Sequence, residues 1–133
     1  MIGKVITKLL TDNTDLTDLV PAKRIFPYII NEDTPLPAIV YRVQSLVPEY
    51  TKDGWVKDDC VFVVESFDDS YNRLMEISYQ VREALEMKKG TEKETLFGRV
   101  TCTDQEEGYF INENVYMNRL LFRCDIMGYK LET

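Results

Sequence analysis

Ile2, Val5, Ile6, Leu9 and Leu10 recur at i, i+3, i+4, i+7 and i+8, which places them on one stripe of a helix. Asp12-Asn13 ends the stripe. Thr14 then predicts the cap of a second short helix, with Leu16, Leu19 and Val20 turned inward and Pro21 as its stop. From Arg24 the period changes to two. Arg24 to Ile29 reads as a short strand, and Pro27 confines it to an edge or a bend because proline cannot donate to a ladder. Asn31 to Pro35 reads as a loop. Ala38 to Leu46 reads as a strand with Ile39, Tyr41 and Val43 on one face. Pro48 to Trp55 is polar and carries Asp53-Gly54, a strong hairpin signal. Lys57 to Phe67 returns as a long strand, with Cys60, Phe62 and Val64 on one face and Val61, Val63 and Glu65 on the other.

Asp68-Asp69-Ser70 offers N-caps for a helix over Tyr71 to Met87, whose inner stripe is Leu74, Ile77, Ser78, Val81 and Leu85. Gly90 is a natural residue to follow its C-terminus. A polar loop and a strand near Leu96 to Thr103 come next, and Glu106-Glu107-Gly108 predicts a second turn. Val115 to Lys130 reads as a long last strand, with Leu120, Phe122, Cys124 and Ile126 facing in and Arg119, Arg123 and Asp125 facing out. The expected fold is α+β: an antiparallel β-sheet with one long helix packed on a face and a short helical N-terminus, residues 1–133 forming a single domain.

Composition narrows the function classes. The 133 residues include 16 basic and 23 acidic side chains, a net charge of −7, so clustered phosphate contacts are not expected and no nucleic-acid partner is assigned. No apolar run approaches the roughly 18 to 20 residues of a membrane span. Lys4 and Lys8 interrupt the apolar N-terminal residues, so no signal peptide is expected. Gly3 does not directly follow Met1, which removes a myristoylation signal. A soluble protein made in a cytoplasm, with no membrane partner, is the expectation.

The chain has no His, which removes the commonest general base and metal ligand. Ser45, Ser66, Ser70 and Ser78 lie in no Gly-x-Ser-x-Gly elbow. Cys60, Cys102 and Cys124 are far apart, form no Cys-x-x-Cys pair, and fall at inward strand positions, which predicts buried thiols. Asp58-Asp59, Asp68-Asp69 and Glu106-Glu107 are adjacent, and neighbours on a strand point to opposite faces, so they make no ready acid–base dyad. Gly98 and Gly108 are isolated, so they build no phosphate-binding loop. No catalytic residue, cofactor or metal site is assigned, and the chain is not expected to be an enzyme.

Several segments in order carry a resemblance. Arg24-Ile25-Phe26-Pro27-Tyr28 precedes Leu36-Pro37-Ala38-Ile39-Val40-Tyr41, followed by Glu49-Tyr50-Thr51-Lys52-Asp53-Gly54. Phe67 with Ser70-Tyr71, then Val81 with Ala84-Leu85, bracket the helix, and Asn118-Arg119-Leu120-Leu121-Phe122-Arg123-Cys124-Asp125 closes the chain. Over nearly its whole length the chain resembles the small tail-completion proteins of long-tailed bacteriophages, the tail-terminator or head–tail joining family. The matching residues are packing and turn residues. The Lys88 to Thr95 loop and Glu106-Glu107 depart from the family pattern. The resemblance implies a structural virion assembly protein of a phage or prophage, acting without catalysis at the tail–head junction. It would form a ring homo-oligomer, a hexamer in such families, that ends the tail tube. The implied partners are further copies of itself, the major tail tube protein and the head–tail connector. A head–tail adaptor or another interaction module is the alternative, and a small carboxylate-dependent enzyme a more distant one.

The candidate interface is the hairpin of Glu49, Tyr50, Thr51, Lys52, Asp53, Gly54, Trp55, Val56 and Lys57. It joins two long strands and carries Trp55 on a turn where solubility favours a polar residue.

Overall fold

The computed structural model describes residues 2–31 and 33–129. Helix α1 (Ile2–Asp12) forms on the predicted stripe, and Ile2, Val5, Ile6, Leu9 and Leu10 are all buried. Asn13, one residue before the expected Thr14, caps α2 (Thr14–Leu19): its Oδ1 accepts the Leu16 N–H at 3.1 Å. Pro21 follows, and Ala22–Arg24 is a single 3₁₀ turn.

The strands are β1 (Ile25–Pro27), β2 (Ala38–Thr51), β3 (Gly54–Asp68), β4 (Gly90–Glu92), β5 (Thr95–Phe97), β6 (Thr101–Phe110) and β7 (Val115–Gly128). Helix α3 (Tyr71–Leu85) lies between β3 and β4 in the chain. The described residues form one sheet in the order β1-β2-β3-β7-β5-β4, with β6 also paired to β7. The α+β class therefore holds, but the sheet is mixed, not wholly antiparallel, because β1 runs parallel to β2. Alternation along a strand encodes which side chains face in. It does not encode the direction of the neighbour, which the connecting loop decides.

One face of the sheet carries the core. Ile39, Tyr41, Cys60, Phe62, Val64, Leu120, Phe122, Cys124 and Ile126 meet Ile77, Val81, Ala84 and Leu85 of α3 and the stripe of α1. Phe62 and Phe122 are register partners and stack with ring centroids 5.3 Å apart. Helix α3 packs on β3 and β7, α1 packs on β2 and α3, and α2 packs on α3. The longest described helix, α3, thus packs on a face of the sheet, and α1 and α2 of the N-terminal segment share with it the covering of the core. The Ser78 hydroxyl donates to Asn118 Oδ1 at 2.8 Å, the polar link between α3 and β7 inside that core.

Several boundaries differ from expectation, and the first hairpin's strands are longer than expected, β2 running on past Leu46 to Thr51 and β3 starting at Gly54 ahead of Lys57. Helix α3 stops at Leu85, before the expected Met87, because the Met87 N–H leaves the helix and donates to the Val100 carbonyl at 2.7 Å. Gly90 does adopt positive φ (137°), but at the start of β4 and not as the residue that ends the helix. The expected strand Leu96 to Thr103 is split into β5 and the start of β6. The expected turn at Glu106-Glu107-Gly108 lies instead within β6, where Glu106, Glu107 and Gly108 pair with Arg119, Asn118 and Met117. Cross-strand contacts, among them the Tyr109–Tyr116 ring pair at 4.6 Å, outweigh the local turn preference. β7 ends at Gly128. Lys130, the expected end of that strand, lies outside the described residues, as does residue 32 of the expected Asn31 to Pro35 loop.

Candidate functional site

β2 and β3 are joined through Lys52 and Asp53, and Gly54 supplies the positive φ (123°) that opens β3. The hairpin is braced at its base. Lys57 Nζ sits 3.0 Å from Asp125 and 3.7 Å from Glu49. The hydrogen bond to Asp125 holds the Lys57 ammonium above its ordinary pKa.

Trp55 is less free than a turn aromatic suggests. It stacks on Tyr129 with centroids 6.1 Å apart, and its indole N–H donates to Asp58 Oδ1 at 2.9 Å. The Tyr129 hydroxyl donates to the other oxygen of Asp58, and burial, with that hydrogen bond, raises its pKa. The more exposed apolar groups are Tyr50, 69% exposed, with Val47 and Val56 beside it. Trp55 stiffens the hairpin, while Tyr50, Val47 and Val56 present its apolar surface.

A second apolar tip lies at the opposite end of the sheet. The β6–β7 connection carries Tyr109 and Phe110 and reaches Ile111, which is 80% exposed. The register fixes the opposition: β3 pairs with β7 from Asp58↔Ile126, near the first hairpin, to Asp68↔Tyr116, near the second tip. Sequence reasoning missed this tip because it placed the turn at 106–108. The available signal was the run Tyr109-Phe110-Ile111 directly before Asn112.

The helix-free face of the sheet is a ladder of ion pairs. Arg42 Nη1 meets Glu65 at 2.7 Å, Arg123 meets Asp59 at 2.9 Å and Arg119 meets Glu106 at 3.4 Å. The Arg123 hydrogen bond holds Asp59 below its usual pKa. On the opposite face, a groove of about 1060 Å³ runs between α1 and β2, with Lys4 and Lys8 on one wall and Tyr41, Val43 and Leu46 on the other. The Thr7 and Tyr41 hydroxyls hydrogen-bond to each other.

The adjacent carboxylates are kept apart. Asp58 takes Trp55 and Tyr129 while Asp59 takes Arg123. Asp68 and Asp69 are the exception, both reaching Arg73, at 2.5 and 3.3 Å, with Asp68 buried and Asp69 exposed. Glu106 takes Arg119 while Glu107 accepts from the Tyr71 hydroxyl at 3.1 Å. Among the described residues no group of three His, Cys, Asp or Glu side chains is placed to hold a metal ion.

Cys60 and Cys124 are register partners in the core, 0% and 3% exposed, whereas Cys102 is half-buried. A hydrogen bond shared with Cys124, together with burial, pushes the Cys60 thiol up, and burial does the same for Cys102. Titration with DTNB in native buffer should therefore show Cys102 reacting slowly and the other two silent until denaturant is added. Rapid modification of all three would mean that the β3–β7 core is open in solution.

No family model and no curated protein matches the sequence. The fold does have a solved counterpart. A chain in the virion of native gene transfer agent (GTA) particle matches with a TM-score of 0.78 at 12% identity, over 92% of this chain and 92% of that chain. At that identity the match shows a shared fold.

Proposed function

We propose that this protein is a single-domain structural component of a long-tailed phage or phage-like particle. It forms a ring at the tail–head junction that ends the tail tube and joins it to the head. The observation that carries the reading is end-to-end likeness of fold to a chain of a virion particle. The residue-level resemblance to tail-completion proteins points the same way.

The geometry suits such a role. Two apolar hairpin tips, Tyr50 with Val47 and Val56 at one end and Phe110 with Ile111 at the other, let one subunit meet the tube protein and the connector at once. The Glu49 to Lys57 hairpin is assigned one of these contacts. The ring is a homo-oligomer, a hexamer on the family pattern, and its action is non-catalytic. A net charge of −7 keeps such a ring from holding passing DNA, since like charge repels the phosphates.

Assembly tests the proposal directly. Extracts lacking the protein should give tails of uncontrolled length or heads without tails, and adding the purified protein back should restore joined particles. Replacing residues 49–57 by a short Asn-Gly turn should abolish that rescue, and Tyr50→Ser, at a 69% exposed position outside the bracing contacts, should weaken it while leaving the thermal melt close to the parent's. Normal joined particles from the depleted extract would overturn the reading. Tails of correct length that simply fail to meet heads would favour the head–tail adaptor instead.

A further inference from the structure

Among the described residues the sheet has two long open edges, on β2 and β6, while β1 and β4 end the strand order with only three residues each. β1 covers β2 only at Ile39, Val40 and Tyr41, and the Tyr28 N–H then reaches the Tyr41 carbonyl at 2.8 Å. From Arg42 to Thr51, β2 has no strand on that side among the described residues. At the other side β6 pairs with β7 alone among the described strands, which leaves its outer edge open along Thr101–Phe110. Open rows of backbone N–H and C=O groups are templates for another strand.

The directions of these two edges are complementary. β2 with β3, β3 with β7, and β7 with β6 are each antiparallel, so β6 runs opposite to β2. When one copy is repeated by rotation without being turned over, its β6 meets β2 of the next copy in the antiparallel sense. We propose that copies associate head to tail by pairing the β6 edge of one with the free β2 edge of the next. Such a contact uses two different surfaces and closes into a ring when the rotation allows. The inference rests on the ring reading above and names the surfaces that build it.

Two further observations favour a second copy as the occupant. The groove beside β2 leaves room along the open edge, and Lys4, Lys8 and Lys93 line it. β6 brings Glu107, which pairs with inward-facing Asn118 and reaches Tyr71 of α3, so its carboxylate enters on the same face of the sheet as those lysines and with the opposite sign. Asp104, Glu106 and Glu107 together oppose β6–β6 pairing, where they would face their own copies. Pairing is also staggered. Gln105 lies level with Tyr41 through Leu120 and Val64, a position that β1 already covers. The incoming β6 must therefore sit further toward the β2–β3 hairpin, the stagger that tilted strands in a closed sheet require.

Cysteine pairing tests this. Ser45→Cys, Val47→Cys and Glu49→Cys place thiols along the open part of β2, and Gln105→Cys and Glu106→Cys place them on the two faces of β6. Each variant is mixed with each partner under mild oxidation, both as concentrated free protein and in particles joined by add-back. A disulfide dimer should appear for the pair in register only when a β2 variant and a β6 variant are both present, in the joined particles at the least. In a Cys102→Ser background, which removes the native thiol of β6, dimers from a single variant alone would show like edges meeting and would overturn the proposal. So would joined particles in which no β2–β6 pair cross-links. Cross-linking of the free protein together with failed joining by the unmodified protein would leave edge pairing standing and remove the tail-end role.

Discussion

Val81→Asp should lower the melting temperature by about 15 °C. Val81 is fully buried at the centre of the α3 stripe, in the cluster with Ile77, Ala84, Leu85 and Phe62. The substitution loses the burial of a valine side chain, about 1.5 to 3 kcal/mol. It also puts an unpartnered carboxyl among apolar groups, which costs a further ~2 kcal/mol or more even when the group stays protonated. A total of ~4 kcal/mol is a large part of the 5–15 kcal/mol that ordinarily separates folded from unfolded chains. For a chain of 133 residues each kcal/mol moves the midpoint by roughly 3–4 °C. Glu83→Ala on the exposed side of the same helix should stay within about 0.5 kcal/mol of the parent. Thermal melts of the pair check the assignment of the inner face. A Val81→Asp protein melting within a degree or two of the parent would show that α3 does not dock through this stripe.

Asp68→Ala should cost about 2 kcal/mol at neutral pH, and the cost should fade in acid. Asp68 is fully buried, and its carboxylate receives Arg73 Nε at 2.5 Å and Nη2 at 2.6 Å. It also receives the backbone N–H of Asp69 at 2.8 Å and of Ser70 at 3.4 Å, fastening the chain where β3 gives way to α3. Burial acts to raise its pKa, but the Arg73 hydrogen bond and charge outweigh it, with help from the two N–H groups, and the net shift is downward. Arg73 is 42% exposed and stays hydrated when its partner is removed, so the loss is smaller than for a fully enclosed pair. The sign follows from linkage. A carboxyl whose folded pKa is depressed contributes stability that is fully present above the unfolded value, near 4, and is lost as pH falls through the folded value. Chemical denaturation from pH 7 to pH 2 should therefore show parent and variant converging below about pH 4. A constant gap across that range would mean that Asp68 acts by shape alone.

Periodicity reached far into the fold. The stripe of α1, the stripe of α3 and the inward faces of β3 and β7 are all legible, because helices and strands expose fixed periods of 3.6 and 2. Asp53-Gly54 marked the first hairpin and Ser70 the start of α3, since both act through bonds to residues a few positions away. Trp55 drew attention to that hairpin for its exposure, yet the structure has it braced on Tyr129, a contact between residues distant in sequence that no local pattern carries.

Local pattern was enough to set most of the inward-facing residues and the sharp turn at Asp53-Gly54. The sequence also determined the lack of an imidazole. Tertiary structure alone decided which strands are neighbours: the parallel seat of β1, the run of β6 through Glu106-Glu107-Gly108, and hence the apolar tip at Ile111. It also decided that β2 and β6 carry the long open edges among the described residues, the pair from which the ring contact is inferred. Backbone hydrogen bonds between strands are the same whatever the side chains. The choice of partner therefore comes from the sum of cross-strand contacts over the whole sheet and not from any one segment.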